Sequence, residues 1–448
     1  MESLRSGDVA GGADTAGSIV SRSRRVPETS VGALFELYEP PRALLRSPDE
    51  PTIAGCGAAV TLHASGAERV GSLSSAAEAV FDDLDHDGPA PSRPRFIGGF
   101  SFHHEHDAVP PWDGFPAGWF VLPHVQLVHT DDDYWLTVSQ HGTDVSAVAV
   151  ERKLDSVCDS LAGAEPSRPR PPAGVESRSY ATSREAWQDQ VTTVLDRIEA
   201  GALSKVVLAQ ALSVTPEATV SPLAVLEHLT AVYPDCYRFI LEPTTEAAFL
   251  GATPERLVSL TDRRLETEAI AGSTGRGDTS AEDDWLESEL LASEKDRHEH
   301  DLVVETICDR LEPFSTAVEI GELYVRQLAT VQHLQTPITA TLSDDYHVFE
   351  LIEALHPTPA VGGLPPAEAY AAIRDAERFD RGWYAAPVGW IDADGNGTFA
   401  IAIRSAVVGR SSVRLFAGAG IVANSVPERE WDELQLKYRP ILDALERP

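Results

Sequence analysis

One stretch constrains this chain more than any other. It is Ser293-Glu294-Lys295-Asp296-Arg297-His298-Glu299-His300-Asp301, which runs without a break into Leu302-Val303-Val304. At helical spacing, Lys295, Glu299, Leu302, Val303 and Thr306 fall on one face, with Asp296 beside Glu299. A stripe that mixes ionised and apolar side chains describes a helix passing beneath a polar cavity. The ordinary reading is a solvated turn of a surface helix, so the rest of the chain has to supply matching groups.

Size and charge narrow the classes. The 448 residues, 43% of them hydrophobic, suffice for a large core. No window approaches the roughly 18 uncharged apolar residues of a membrane span. Residues 1–30 read as a partly disordered lead-in without the apolar core of a signal peptide, which predicts a cytoplasmic protein. Cys56, Cys158, Cys236 and Cys308 form no CxxC, so neither a disulfide framework nor a zinc site is indicated. The net charge is −34, and the four lysines (Lys153, Lys205, Lys295, Lys437) leave arginine as 32 of the 36 basic residues. Such an acidic, lysine-poor chain fits a halophilic, salt-rich cytoplasm, although GC-rich coding also favours arginine over lysine, and its charge speaks against nucleic acid and anionic membranes as partners.

Residues 31–163 read as a first α/β portion, with strands near 54–64, 96–102, 119–123 and 134–138. His103-His104-Glu105-His106 resembles a ligand cluster, but its place before Pro110-Pro111 reads as an exposed loop. A proline-rich linker occupies 164–178, centred on EPSRPRPPAGVE. A portion at 179–448 follows. Its first helix has Thr182 and Glu185 at capping-box spacing, the stripe Trp187, Val191, Val194, Leu195 and Ile198, and Gly201 at C′. Next comes a strand at 204–209 opened by Lys205, whose ordinary fate is to snorkel outwards. A strand, turn and strand at 249–257 puts Glu255 at a turn edge, and Gly272-Ser273-Thr274-Gly275 offers backbone N–H groups to an anion. The run 399–405 reads as a buried strand carrying Arg404, which needs an anionic partner. Residues 415–422 pair glycine with a strand, suiting close approach to a ligand. Pro427 opens a last helix with Glu430, Glu433 and Lys437 on one side, a spacing that also fits a surface Glu→Lys pair.

Taken in order, Lys205-Val206-Val207-Leu208, Thr253-Pro254-Glu255, Ala271-Gly272-Ser273, Ser293 to Asp301, His356 to Ala360, Ile403-Arg404, Phe416 to Val422 and Trp431-Asp432-Glu433 with Lys437 resemble the chorismate-utilising enzymes. SEKDRHEH, LHPTPA and FAGAGIV look most like those of the isochorismate synthases. The resemblance is strong over 180–445 and fainter over 96–123. It implies an α/β (α+β) fold: one large domain spanning 31–448, with two antiparallel sheets face to face and helices outside. That merges the two portions on either side of the linker.

The resemblance also implies a reaction. Water attacks C2 of chorismate while the C4 hydroxyl leaves and the ring double bond shifts, giving isochorismate. Lys205 would be the general base, needing some neutral amine, and Glu255 the general acid, favoured by a raised pKa. Glu299 and Glu433 would bind Mg²⁺, with Asp296 and Glu430 acting through water. Arg404, Gly418 and Lys437 would hold the substrate carboxylates, Gly272 and Ser273 would touch the substrate from the other side, and Ala360, Val361 and Tyr384 would line the pocket. Ammonia-using relatives typically lack the lysine at position 205. Salicylate synthases keep it but, like the ammonia users, usually carry Gly-x-Pro-Lys where this chain has Gly363-Leu364-Pro365-Pro366. Gln210 stands where the family often has arginine. A monomer or weak homodimer is expected, with menaquinone, a siderophore or salicylate downstream and menaquinone preferred. The reading from another class is a catalytically silent paralogue that binds Mg²⁺ or an anion.

Overall fold

The computed structural model describes residues 17–164, 170–329 and 331–447. Among them, 21 strands form one hydrogen-bonded network, with ten α-helices packed around it. Its two arms part at the long strand Gly118–His129. This strand pairs along its length with Thr52–Ala64, and on its other edge with Phe96–Phe100 and then Tyr134–Gly142. The first arm continues from Thr52–Ala64 through Arg42–Arg46, Tyr237–Glu242, Ala247–Thr253, Ser405–Gly409 and Val413–Ile421 to Lys205–Pro216. The second runs from Phe96–Phe100 through Pro387–Ile391, Gly397–Ile401, Arg256–Thr261 and Arg264–Gly275 to Val331–Leu342. All these pairs are antiparallel. The two sheets implied by the resemblance are thus arms of one network.

Both sequence portions share one core. Strand Arg42–Arg46 pairs with Tyr237–Glu242, and Phe96–Phe100 with Pro387–Ile391. The rings of Phe120 and Phe349 meet at 5.0 Å and those of Trp112 and Phe249 at 5.1 Å, edge-on or tilted as aromatic pairs prefer.

Two boundaries differ from expectation. Of the lead-in placed at 1–30, residues 1–16 lie outside the described residues, whereas Ser18–Val26 is a strand bonded to Tyr134–Gly142 and, in parallel, to Leu84–Asp87. Its arginines hid it, although Ile19 and Ser21 are fully buried. Residues 165–169 of the linker also lie outside the described residues, and the linker's far end belongs to the edge strand Val175–Tyr180 beside Lys205–Pro216. Helix Arg184–Glu199 is capped by Ser183, which accepts from the Ala186 N–H, one residue after the expected Thr182.

The histidine-rich segment is only partly an exposed loop. His106 is buried, with Nδ1 2.5 Å from Asp380 and Nε2 2.9 Å from the Phe115 carbonyl. Within the helix Glu294–Leu311 the core face is His300, Val303, Ile307 and Leu311. Glu299 lies at the edge of that face and Lys295 is exposed, so the charged stripe borders the core.

Candidate active site

The two arms meet again at a double corner, and the site is built around it. Strand Ala247–Thr253 of the first arm passes through Pro254-Glu255 into Arg256–Thr261 of the second. Its neighbour makes the reverse crossing, from Gly397–Ile401 through Ala402-Ile403-Arg404 into Ser405–Gly409. Arg404 therefore lies between two strands, where the sequence had suggested one continuous strand. It takes φ 51°, a left-handed conformation costing about 1–3 kcal/mol that persists only where the surroundings impose it. Its carbonyl accepts from the Ala252 N–H at 3.3 Å, and the Glu255 carbonyl from the Ile401 N–H at 3.0 Å.

A cavity of about 110 Å³ opens at this corner, lined from both arms and from the helices Glu294–Leu311 and Pro427–Leu445. Lys205, Glu255, Gly272, Ser273, Glu299, Ala360, Tyr384, Arg404, Gly418, Glu433 and Lys437 all line it. Asp296 and Glu430 do not. Asp296 accepts a hydrogen bond from the capping Ser293 hydroxyl, and Glu430 is buried, with Ser425 as its hydrogen-bond partner.

Lys205 is 2% exposed, which rules out snorkelling, and its Nζ lies 2.7 Å from Glu299 Oε1. It belongs to the strand Lys205–Pro216, where Val206 to Leu212 is buried without a break, as in a sheet covered on both faces. Across the cavity, burial and the nearby Glu268 charge push the Glu255 carboxyl up to about 8, against the opposing pull of Lys205 and Arg404. The Glu299 carboxyl, which burial alone would raise, is drawn below its ordinary value by Lys205, Lys295 and Lys437. Two carboxyls in one cavity are thus pushed in opposite directions.

Arg404, Ser273 and a residue not singled out in the sequence form a chain. Arg404 Nη2 donates to His333 Nε2 at 2.6 Å, and His333 Nδ1 lies 2.7 Å from Ser273 Oγ. A guanidinium only donates, so Nε2 must accept and Nδ1 carries the proton. Burial and the Arg404 charge hold His333 well below its ordinary pKa, keeping it neutral. Ser273 then accepts from the imidazole, which frees its own proton for a ligand. Arg404 Nη1 is buried without a hydrogen-bond partner among the described residues, a donor suited to the carboxylate its burial calls for.

The walls are equally specific. Gly272 has φ 76°, and a Cβ there would stand 3.0 Å from Asp296 Cβ; one on Gly418 would stand 2.9 Å from the Tyr384 hydroxyl. Tyr384 stacks on Phe416, which stacks on Trp112. Behind Val207 and Val361, the buried Arg381 donates to both their carbonyls and pairs with Glu377, whose Oε1 also accepts from the Ala209 N–H. Gln210 is fully buried away from the cavity lining; it donates to the Thr182 carbonyl and accepts from Ala211 N–H. Gln210 itself therefore makes no direct contribution to the cavity lining.

Sequence reasoning missed His333, Glu268, Arg381 and Glu377. For His333 and Glu268 the signal available was polar residues within strands, as in Val331-Gln332-His333-Leu334 and Thr267-Glu268-Ala269, whereas Glu377 and Arg381 lie in the loop after helix Pro366–Ala376.

Lys437 Nζ donates to the Gly418 carbonyl at 2.7 Å and pairs with Glu433 at 2.6 Å. It thus makes the surface-type i,i+4 pair and lines the cavity as well. Among the described residues no group of three or more His, Cys, Asp or Glu side chains is arranged around a metal position. The acidic set is Glu299 and Glu433, with Glu430 behind them held up to about 7 by burial and by the Glu433 charge.

A fold of two antiparallel arms with this cavity at their crossing defines a class. Residues 10–446 match the family of chorismate binding enzymes, and the chain belongs to it. Its relatives narrow the class to isochorismate synthases. The salicylate biosynthesis isochorismate synthase of Pseudomonas aeruginosa is 38% identical over 408 residues, covering 89% of this chain and 84% of that protein. Isochorismate synthase MenF of Bacillus subtilis is 36% identical, over 79% of this chain and 74% of its own. Among solved structures, the menaquinone-specific isochorismate synthase MenF from Escherichia coli has a TM-score of 0.82 and 25% identity, covering 98% of this chain and 97% of that one.

Proposed function

We propose that this protein is a Mg²⁺-dependent isochorismate synthase that adds water at C2 of chorismate and expels the C4 hydroxyl. The observation that carries the reading is the convergence on one cavity of a buried lysine, a glutamic acid kept protonated near neutrality and two cationic side chains, Arg404 and Lys437. Lys205 takes the proton of the attacking water, which requires its contact with Glu299 to give way to that water. Glu255, neutral below about pH 8, donates to the departing hydroxyl. Arg404, Lys437 and the Ser273 hydroxyl orient the carboxylates.

Glu299 and Glu433 would hold Mg²⁺. Their hard oxygen donors suit it, two carboxylates with water and substrate oxygen complete its usual shell, and the Glu433 repulsion that adds to burial in raising Glu430 is one a cation relieves. When bound, the ion neutralises substrate carboxylate charge; Asp296 and Glu430 would act through water. Glu299→Ala and Glu433→Ala should each abolish the Mg²⁺ response of activity while the far-UV circular dichroism stays unchanged. Near-normal turnover at low Mg²⁺ in either variant removes that coordination.

Arg404→Gln should raise KM for chorismate at least about tenfold, the worth of a lost charge-assisted contact. kcat should fall less than in variants of the acid or base. An unchanged KM would take Arg404 out of substrate binding.

Pyruvate and ammonia separate this reading from its neighbours. Stoichiometric pyruvate would make the protein a salicylate synthase, and ammonia-dependent anthranilate would overturn the role given to Lys205. The lysine-free stretch Gly363-Leu364-Pro365-Pro366 supports the absence of pyruvate release. Its Gly363–Leu364 pairs with Val206 and Lys205, and Pro366 opens a helix. We further place the protein in the cytoplasm as a monomer or weak homodimer, and its product in menaquinone biosynthesis. The MenF relatives support that destination, which a menaquinone-deficient deletion strain would establish. No helix among the described residues is long and apolar enough to cross a membrane.

A further inference from the structure

Strands Arg42–Arg46 and Tyr237–Glu242 pair antiparallel, with Arg238 directly opposite Arg46. Side chains alternate along a strand, so Arg42, Leu44 and Arg46 share a face with Glu242, Ile240 and Arg238, while Leu45 and Phe239 point the other way. At one end of this face charge is balanced, Arg42 Nε meeting Glu242 at 2.5 Å. At the other end two guanidiniums oppose each other, which destabilises a sheet unless something offsets it. Among the described residues neither has an ion pair, in a chain with 70 acidic residues.

Their protein partners are neutral. Arg46 Nη1 donates to Thr230 Oγ1 at 3.0 Å, and Arg238 Nη1 donates to the carbonyls of Tyr233 and Pro234. Arg238 is 7% exposed, and its Nε is buried without a hydrogen-bond partner. Both side chains line a cavity of about 650 Å³, whose other walls include Leu127, Leu223 and the stacked rings of His129 and Tyr134. That volume is typical of small-molecule sites. Glu28 and Glu227 line it too. Burial lowers the Arg46 pKa and the Glu227 charge offsets this only in part; burial lowers that of Arg238, and Arg46 adds to the effect.

We propose that Arg46 and Arg238 form a second oxyanion site, separate from the catalytic cavity, which takes a carboxylate or phosphate group on its two guanidinium forks. Planar donors in pairs suit such a group, and Leu127 and Leu223 offer a surface for an attached apolar body.

The test is calorimetric titration of the full chain with benzoate and, separately, with inorganic phosphate, at ionic strength held constant with chloride. Binding at the catalytic cavity contributes equally to wild type and to Arg46→Gln, so the comparison isolates the second site. Wild type should bind one more equivalent than Arg46→Gln, or bind it at least about tenfold more tightly. Benzoate preferred over phosphate identifies a carboxylate with an apolar body, and the reverse a phosphorylated ligand; either supports the site. Glu227→Gln, which removes a competing carboxylate, should tighten binding. With chloride as the sole anion, Arg46→Gln should melt no lower than wild type, because it removes a like-charge contact. Equal stoichiometry and affinity in wild type and Arg46→Gln would overturn the proposal. So would weaker binding in Glu227→Gln, which would make that carboxylate part of the ligand's own contacts, or a lower melting temperature of Arg46→Gln in chloride, the mark of an internal Arg46–Glu227 pair.

Discussion

Lys205→Ala is expected to lower turnover roughly 10²–10⁴-fold, the usual worth of a positioned proton-transfer group, with KM for chorismate changing far less. Lys205→Arg should not restore activity, because a guanidinium stays protonated and cannot accept a proton from water. The side chain is 2% exposed and paired with Glu299 at 2.7 Å, so truncation also strands a carboxylate in a largely buried site. Breaking such a pair by removing one partner costs about 3–5 kcal/mol, and the single variant should melt lower. The double variant Lys205→Ala/Glu299→Ala separates the two effects: stability should recover while turnover stays lost. Steady-state kinetics and thermal melts on the three variants decide it. An active Lys205→Arg enzyme would remove the general-base assignment.

Glu255→Gln should lose a comparable factor in turnover. The losses of Lys205→Ala and Glu255→Gln should not multiply in the double variant, since base and acid serve one displacement. In the wild type, the limb of the pH profile that reports the acid should fall as pH rises through about 8. The same residue carries a stability signature of the same sign, in a lower pH window. Its folded-state pKa of about 8 lies above the ordinary 4.5. Between those values the folded protein holds a proton that the unfolded chain has released, so stability declines as pH rises across the window. One pKa unit corresponds to about 1.4 kcal/mol, so the decline amounts to a few kcal/mol. Glu255→Gln lacks that titration, and its melting temperature should gain on wild type steadily from about pH 5 to pH 8. A flat difference would mean that Glu255 titrates as an ordinary solvated carboxyl.

What the sequence revealed of this site follows from how it is built. Lys205, Glu255, Gly272 and Gly418 each sit in a short local run whose strand, turn or glycine character is readable without knowing its partner. The arm-to-arm crossing was not readable, because it depends on pairing across the chain: Ala247–Thr253 lies beside Ser405–Gly409, and Arg256–Thr261 beside Gly397–Ile401. Arg404 therefore looked like a residue within a strand, although its left-handed conformation comes from the corner. His333 escaped notice for a related reason. Its neutral, donor-acceptor role exists only between Arg404 and Ser273, 71 and 60 residues away. The strand Ser18–Val26 was hidden by arginines. One of them, Arg22, reaches Asp85 at 3.0 Å on the neighbouring parallel strand, a long-range contact that composition does not announce.

The central claim is that Lys205 directs water to C2 of chorismate. The most direct measurement is the product formed from chorismate and Mg²⁺ in H₂¹⁸O, at molar salt where the Debye length is about 3 Å and the net charge of −34 no longer repels a dianionic substrate at long range. The expected result is isochorismate carrying one ¹⁸O in its C2 hydroxyl, formed reversibly, with little pyruvate and no response to ammonia. Unlabelled isochorismate, or label in a product other than isochorismate, would contradict it.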